Sequence, residues 1–197
     1  QHGLEYWPED ARIVQVDTDH RALGLVRDVE VAVCGDAGAA SREILDRLKN
    51  LEVTAHASRD TRMTELAAQR EVWESELTEW SSADGSPVAP RRALRELERA
   101  MPTDAVVSTD IGNICSVSNS YLRFDRPNSF LAAMSFGNCG YAFPTAMGAK
   151  VAAPDRPVVA YVGDGAWGMS LAEMMTCVRE DIPVVAVVFN NGQWGAE

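Results

Sequence analysis

The stretch Val158–Glu197, VVAYVGDGAWGMSLAEMMTCVREDIPVVAVVFNNGQWGAE, decides the fold. Val158–Val162 and Val184–Phe189 are short, β-branched and almost free of polar residues, the pattern of strands buried on both faces of a parallel sheet. Between them, over Ser170–Arg179, Leu171, Met174, Met175 and Val178 recur at helical spacing. Ser170 can cap the start, and Pro183 marks a break before the second strand. The segment is therefore expected to be a βαβ unit. Its crossover brings both strand carboxyl ends to one edge of the sheet, placing Gly163-Asp164-Gly165 beside Asn190-Asn191; Asn191 follows Asp164 by 27 residues.

A carboxylate, an amide oxygen and a nearby backbone carbonyl form a hard-oxygen set that suits Mg²⁺ together with phosphate oxygens. The glycines flanking Asp164 allow backbone to approach a ligand closely. The helix that follows offers free N–H groups and a positive dipole end to a diphosphate. A Gly-Asp-Gly triplet alone is an ordinary turn. Strand, GDG, helix, strand and NN in succession are far more specific, and they read as a metal and diphosphate cradle.

Two further strand ends point to the same edge. Pro90–Ala100 is a helix begun by proline, and Ala105–Thr109 is a buried strand that ends in Asp110-Ile111-Gly112-Asn113. Ligands in open α/β sheets bind beyond the carboxyl ends of strands, so Gly112 and Asn113 are candidates to touch the same diphosphate. The competing reading of Asn113 is a helix N-cap. Phe130–Met134 is expected to be a short strand. It runs through Ser135–Tyr141 into a helix ending at Ala152, with Pro144 in its first turn.

In the first half, Arg12–Asp17 and Val29–Cys34 read as strands, and Gly35-Asp36 opens a helix over Ala37–Leu48. No GxGxxG precedes Asp17, so a turn-capping aspartate is favoured over a ribose ligand. Arg59–Trp80 is charge-rich with apolar residues at helical intervals, an amphipathic helix with a solvated face. Ser81–Pro87 is rich in turn formers and is the expected linker. The expected domains are 1–50, 51–88 (a helical linker) and 89–197.

Composition excludes several classes. A net charge of −11 leaves no basic face for nucleic acid or an anionic membrane. Neither a membrane-length apolar run nor a signal region at QHGLEYWPED is present, so a cytoplasmic protein is expected. Cys34, Cys115, Cys139 and Cys177 lack CxxC spacing and read as free thiols, and His2, His20 and His56 form no metal-like cluster.

With GDG and NN at this spacing, the chain resembles the thiamine diphosphate (ThDP) enzymes of the acetolactate synthase and pyruvate decarboxylase type. The resemblance implies an α/β fold: a partial diphosphate-binding domain, a parallel sheet flanked by helices, preceded by the tail of a Rossmann-like middle domain. It implies that Asp164, Asn191 and the main-chain carbonyl of Gln193 hold Mg²⁺ against the diphosphate, and that Gly112, Asn113, Gly163, Gly165 and Ala166 line it. It further implies that Gly137, Asn138 and Cys139 cradle the aminopyrimidine, Gly137 through its carbonyl and Cys139 as an apolar prop. Two residues depart from the family pattern: Cys139 replaces a larger aliphatic or methionine, and Ala166 replaces a common serine.

Within that family, GDGAWGMS, EMMTCVR, SVSNSYLRF and NNGQWGAE are similar to members that act on the small molecules sulfoacetaldehyde and phosphate. Other family chemistries stay open: acetolactate synthase, sulfopyruvate decarboxylase and oxalyl-CoA decarboxylase. So does a non-catalytic Mg²⁺-nucleotide-binding α/β module. The family's activating glutamate comes from a separate pyrimidine-binding domain across a dimer interface, and no such segment is recognisable here. Glu173 is not promoted to that role. The expectation is thus an internal piece of a dimeric or tetrameric enzyme, inactive alone.

Overall fold

The computed structural model describes residue 8, residues 10–51 and residues 58–195. His2 and His56 lie outside them. The chain forms two compact units, residues 1–64 and 65–197.

In the first unit β1 (Val14–Asp17) and β2 (Val31–Cys34) pair in parallel, Val14 opposite Val31 and Asp17 opposite Cys34. Asp17 accepts the Asp19 N–H at 2.9 Å, the turn-capping geometry expected of it. Asp36 caps α1 (Ala37–Asn50) by accepting the Ala39 N–H at 2.8 Å.

The division between the units falls inside α2 (Arg59–Trp80), and Ser81–Pro87 lies within the second unit. Then come α3 (Pro90–Ala100), β3 (Val106–Thr109), α4 (Asn113–Tyr121), β4 (Phe130–Ala132), α5 (Ala142–Ala152), β5 (Val158–Gly163), α6 (Asp164–Ser170), a 3₁₀ turn (Leu171–Glu173), α7 (Met174–Arg179) and β6 (Val185–Phe189). The strands form one parallel sheet in the order β4-β3-β5-β6.

β-branched and small residues alternate across the two faces of this sheet, so helices must cover both. Val106, Val158, Ala160 and Val162 pack on Ala142, Phe143, Ala146 and Met147 of α5. Ala105, Val107 and Tyr161 pack with Leu122 on the opposite face. Leu77, Leu94 and Tyr121 join the second half of α2 to α3 and α4. A completely buried valine such as Val107 or Val162 contributes about 1.5–3 kcal/mol.

One helix differs from its sequence-based expectation. It starts at Asp164 rather than Ser170, and it is interrupted where Ser170 leaves helical geometry at φ −123° and ψ 0°. Met175 and Val178, whose spacing pointed to it, are 77% and 83% exposed. The sheet face here is filled instead by Trp167, Cys177 and Ile182, which pack on the α5 cluster.

Candidate functional site

β3 and β5 are hydrogen-bonded neighbours whose connections leave in opposite directions, one to β4 and the other to β6. The crevice outside their carboxyl ends is the switch point where an open α/β sheet accepts a ligand. Four loops reach this edge: 110–113, 133–141, 163–165 and 190–195.

Asp110 ties the first two together. Its side chain is 0% exposed. Its Oδ1 accepts the Tyr141 N–H at 2.6 Å and the Ala142 N–H at 3.1 Å, while its Oδ2 is buried with no hydrogen-bond partner among the described residues. Burial pushes the carboxyl pKa up, and the backbone N–H groups of Tyr141, Ala142 and Gly140 pull it part of the way back. Sequence reading gave Asp110 no role; the signal was an ionisable residue directly after a four-residue buried strand.

Gly112 takes φ 137°, a conformation that side chains rarely adopt, and it is Gly112 rather than Asn113 that occupies the N-cap of α4. Asn113 begins the helix, and its Nδ2 donates to the Gly195 carbonyl at 2.6 Å. The amide is thus held by the 190–195 loop, leaving its oxygen for other partners.

Asp164 is half-buried and starts α6 directly after β5. Gly163 has no atom within 4 Å of where a Cβ would stand, and Gly112 and Gly137 are equally open. Gly165 differs, because a Cβ there would meet Trp194 Cε2 at 2.9 Å. Ala166 is 6% exposed, so its methyl belongs to the core and only its backbone can serve a ligand.

In the last loop the Asn191 side-chain oxygen accepts the Gln193 N–H at 3.2 Å, and Asn190 does the same for Gly192 at 3.0 Å. These turns fold the segment back over the edge of the sheet. Asn113, Asn191 and Gly195 are thereby gathered: a Cβ on Gly195 would stand 3.1 Å from Asn191 Nδ2 and 3.6 Å from Asn113 Nδ2. The Gly137–Cys139 stretch is joined to the others on its C-terminal side, through Asp110 and through Gly140, whose Cβ would sit 3.1 Å from Met169 Cβ.

These residues fit a metal-bound diphosphate. Three open glycines let backbone line an anion, and neither α4 nor α6 has a side chain capping its first-turn N–H groups. An aspartate at the centre of such a cradle would repel the anion unless a cation stood between them. Among the described residues no group of three or more His, Cys, Asp or Glu could hold a metal; a carboxylate, an amide oxygen and a backbone carbonyl are the other kind of donor set that suits a hard cation. The buried Cys115 is a poor nucleophile, since burial raises its thiol pKa.

Residues 110–197 match the model of the thiamine pyrophosphate enzyme, C-terminal TPP binding domain. These residues are thus similar to the C-terminal, TPP-binding domain of those enzymes. A sulfoacetaldehyde acetyltransferase from Castellaniella defragrans is 57% identical across 100% of this chain and 36% of its own length. One from Alcaligenes xylosoxydans xylosoxydans is 53% identical with the same coverage. The chain therefore spans about a third of the length of these relatives. The thiamine diphosphate-dependent 4-hydroxybenzoylformate decarboxylase of Rhodococcus jostii RHA1 shares the fold, with a TM-score of 0.71 at 21% identity over 97% of this chain and 33% of that one. The match begins at Asp110, the residue at the switch point from which the cradle is built.

Proposed function

We propose that the chain is part of a ThDP- and Mg²⁺-dependent sulfoacetaldehyde acetyltransferase, which converts sulfoacetaldehyde and phosphate to acetyl phosphate and sulfite. The observation that carries this reading is the 57% identity over a match that spans the whole chain. The complete protein is proposed to be a cytoplasmic homodimer or homotetramer.

Asp164, Asn191 and the Gln193 carbonyl would hold Mg²⁺, and the backbone at Gly112, Gly163 and Gly165 would line the diphosphate. Asn113 would contact the diphosphate, one of its two amide N–H groups being committed to the Gly195 carbonyl. Gly137, Asn138 and Cys139 are proposed to meet the aminopyrimidine. Bound ThDP supplies a nucleophilic thiazolium carbon for aldehydes and 2-oxo acids. The protein's part is to fix that ring against the metal-anchored tail, which is positioning and not acid–base work by the residues of this edge. Glu173 accepts a hydrogen bond from Thr176 at 3.0 Å and keeps a structural role.

The test is to assay the full-length protein for sulfite release from sulfoacetaldehyde with and without phosphate, ThDP and Mg²⁺, with pyruvate as the alternative substrate. Sulfite that requires all three is the expected result. Acetolactate from pyruvate with no sulfite would overturn the assignment in favour of an acetolactate synthase.

A further inference from the structure

Among the described glycines at this edge, Gly165 has the nearest neighbour at the position a side chain would occupy. A Cβ there would meet Trp194 Cε2 at 2.9 Å, Cζ2 at 3.1 Å and Nε1 at 3.3 Å. An indole that close to a Cα can be accommodated only because the residue is glycine. Trp194 belongs to none of the three core clusters and is 52% exposed, so the ring does not fill the interior.

That contact sits next to two of the proposed metal ligands. Gly165 follows Asp164 and Trp194 follows Gln193, so the indole contact lies one residue away from each of two proposed donors. The next residue is fixed independently, since the Gly195 carbonyl accepts from Asn113 Nδ2 at 2.6 Å. On the other side Gln193 is held by its own N–H, which donates to Asn191 at 3.2 Å.

We propose that Trp194 is a positioning residue of the metal site: seated on Gly165, it holds the 190–195 loop closed over the GDG turn and sets the spacing of the Mg²⁺ donors. This rests on the Mg²⁺–diphosphate reading above. Ligand-supporting residues that do not touch the metal characteristically cost about 10- to 100-fold in affinity when removed.

The experiment uses the full-length protein and measures ThDP binding calorimetrically at saturating Mg²⁺, together with Mn²⁺ binding by electron paramagnetic resonance. Trp194→Ala is expected to weaken both by about tenfold or more, and Trp194→Phe, which keeps a ring on Gly165, to stay within about threefold of wild type. Gly165→Ala should lose as much as Trp194→Ala, because its methyl collides with the indole. Combining the two should be no worse than either alone, the deleted indole vacating the space that the methyl needs. Wild-type affinity in Trp194→Ala, or additive losses in the double variant, overturns the proposal. So does a Trp194→Ala protein that no longer folds by circular dichroism, since Trp194 would then be a stability residue. A wild-type protein that binds neither Mn²⁺ nor ThDP removes the functional reading itself, which separates the two failures.

Discussion

Replacing Asp110 by alanine should release the 133–141 loop without dismantling the sheet. The N–H groups of Tyr141 and Ala142 lose the acceptor they share. That of Ala142 is on a residue of 0% exposure, so water cannot substitute, whereas the half-buried Tyr141 can be rehydrated in part. An unsatisfied buried donor costs about 1–3 kcal/mol and a rehydrated one less, for a sum of about 3 kcal/mol. Against this, alanine removes a carboxylate whose Oδ2 is buried and has no partner among the described residues. The net local loss is then about 2 kcal/mol, which corresponds to roughly thirtyfold faster opening. Asp110→Asn keeps an oxygen acceptor and abolishes the charge, so it should fall within about 1 kcal/mol of wild type. Amide hydrogen exchange of the Gly137–Met147 segment in the full-length protein reads these values directly. Equal protection in wild type and Asp110→Ala, or equal losses in the alanine and asparagine variants, would refute the reasoning. A pH series adds an independent check. The folded state raises this carboxyl's pKa and so binds the proton more tightly than the unfolded chain does. Its contribution is therefore favourable at low pH and is lost as pH rises from the ordinary carboxylate range through the raised value. Asparagine in its place should flatten that segment of the profile.

Three further outcomes follow from the same structure. Asp164→Ala, or chelation of Mg²⁺ by EDTA, should abolish calorimetric binding of ThDP, and retention of binding within about tenfold would show that the carboxylate is not a ligand. Leu77→Ala should destabilise the second unit by about 2–5 kcal/mol, because the side chain is 1% exposed between α2, α3 and α4; a shift in the urea midpoint measures it. Burial pushes the Tyr161 phenol up to about 12, so its phenolate absorbance should appear well above that of an exposed tyrosine. The corresponding stability is lost as pH rises from about 10 to about 12, and Tyr161→Phe should lack that phase of alkaline unfolding.

The frame of the second unit was readable because its strands are unbroken runs such as Val106-Val107 and Val158-Val159-Ala160, a composition that only a doubly covered sheet tolerates. Helix α2 at Arg59–Trp80 and helix α3 at Pro90–Ala100 carried their own boundaries in charge pattern and proline. The interrupted helix after Asp164 was misjudged because Leu171, Met174, Met175 and Val178 make a good apolar stripe without facing the core, and periodicity records spacing, not direction. In the site, GDG and NN could be paired by counting residues. The partners of Asp110 and Trp194 could not, because each contact depends on how two loops meet in space, 31 residues apart for Asp110 and Tyr141. A buried aspartate and an exposed tryptophan are locally unremarkable letters whose meaning comes from tertiary placement.

The hydrogen bond from Asn113 to Gly195 spans 82 residues of chain. Closing so long a loop is entropically unfavourable until the strands between its ends have paired, so this bond should form late, after β3, β5 and β6 are in register. Substitutions at Asn113 are then expected to leave the folding rate almost unchanged and to accelerate unfolding instead. The residue that joins the two ends of the cradle would thus govern how long the assembled edge persists rather than how fast it is made.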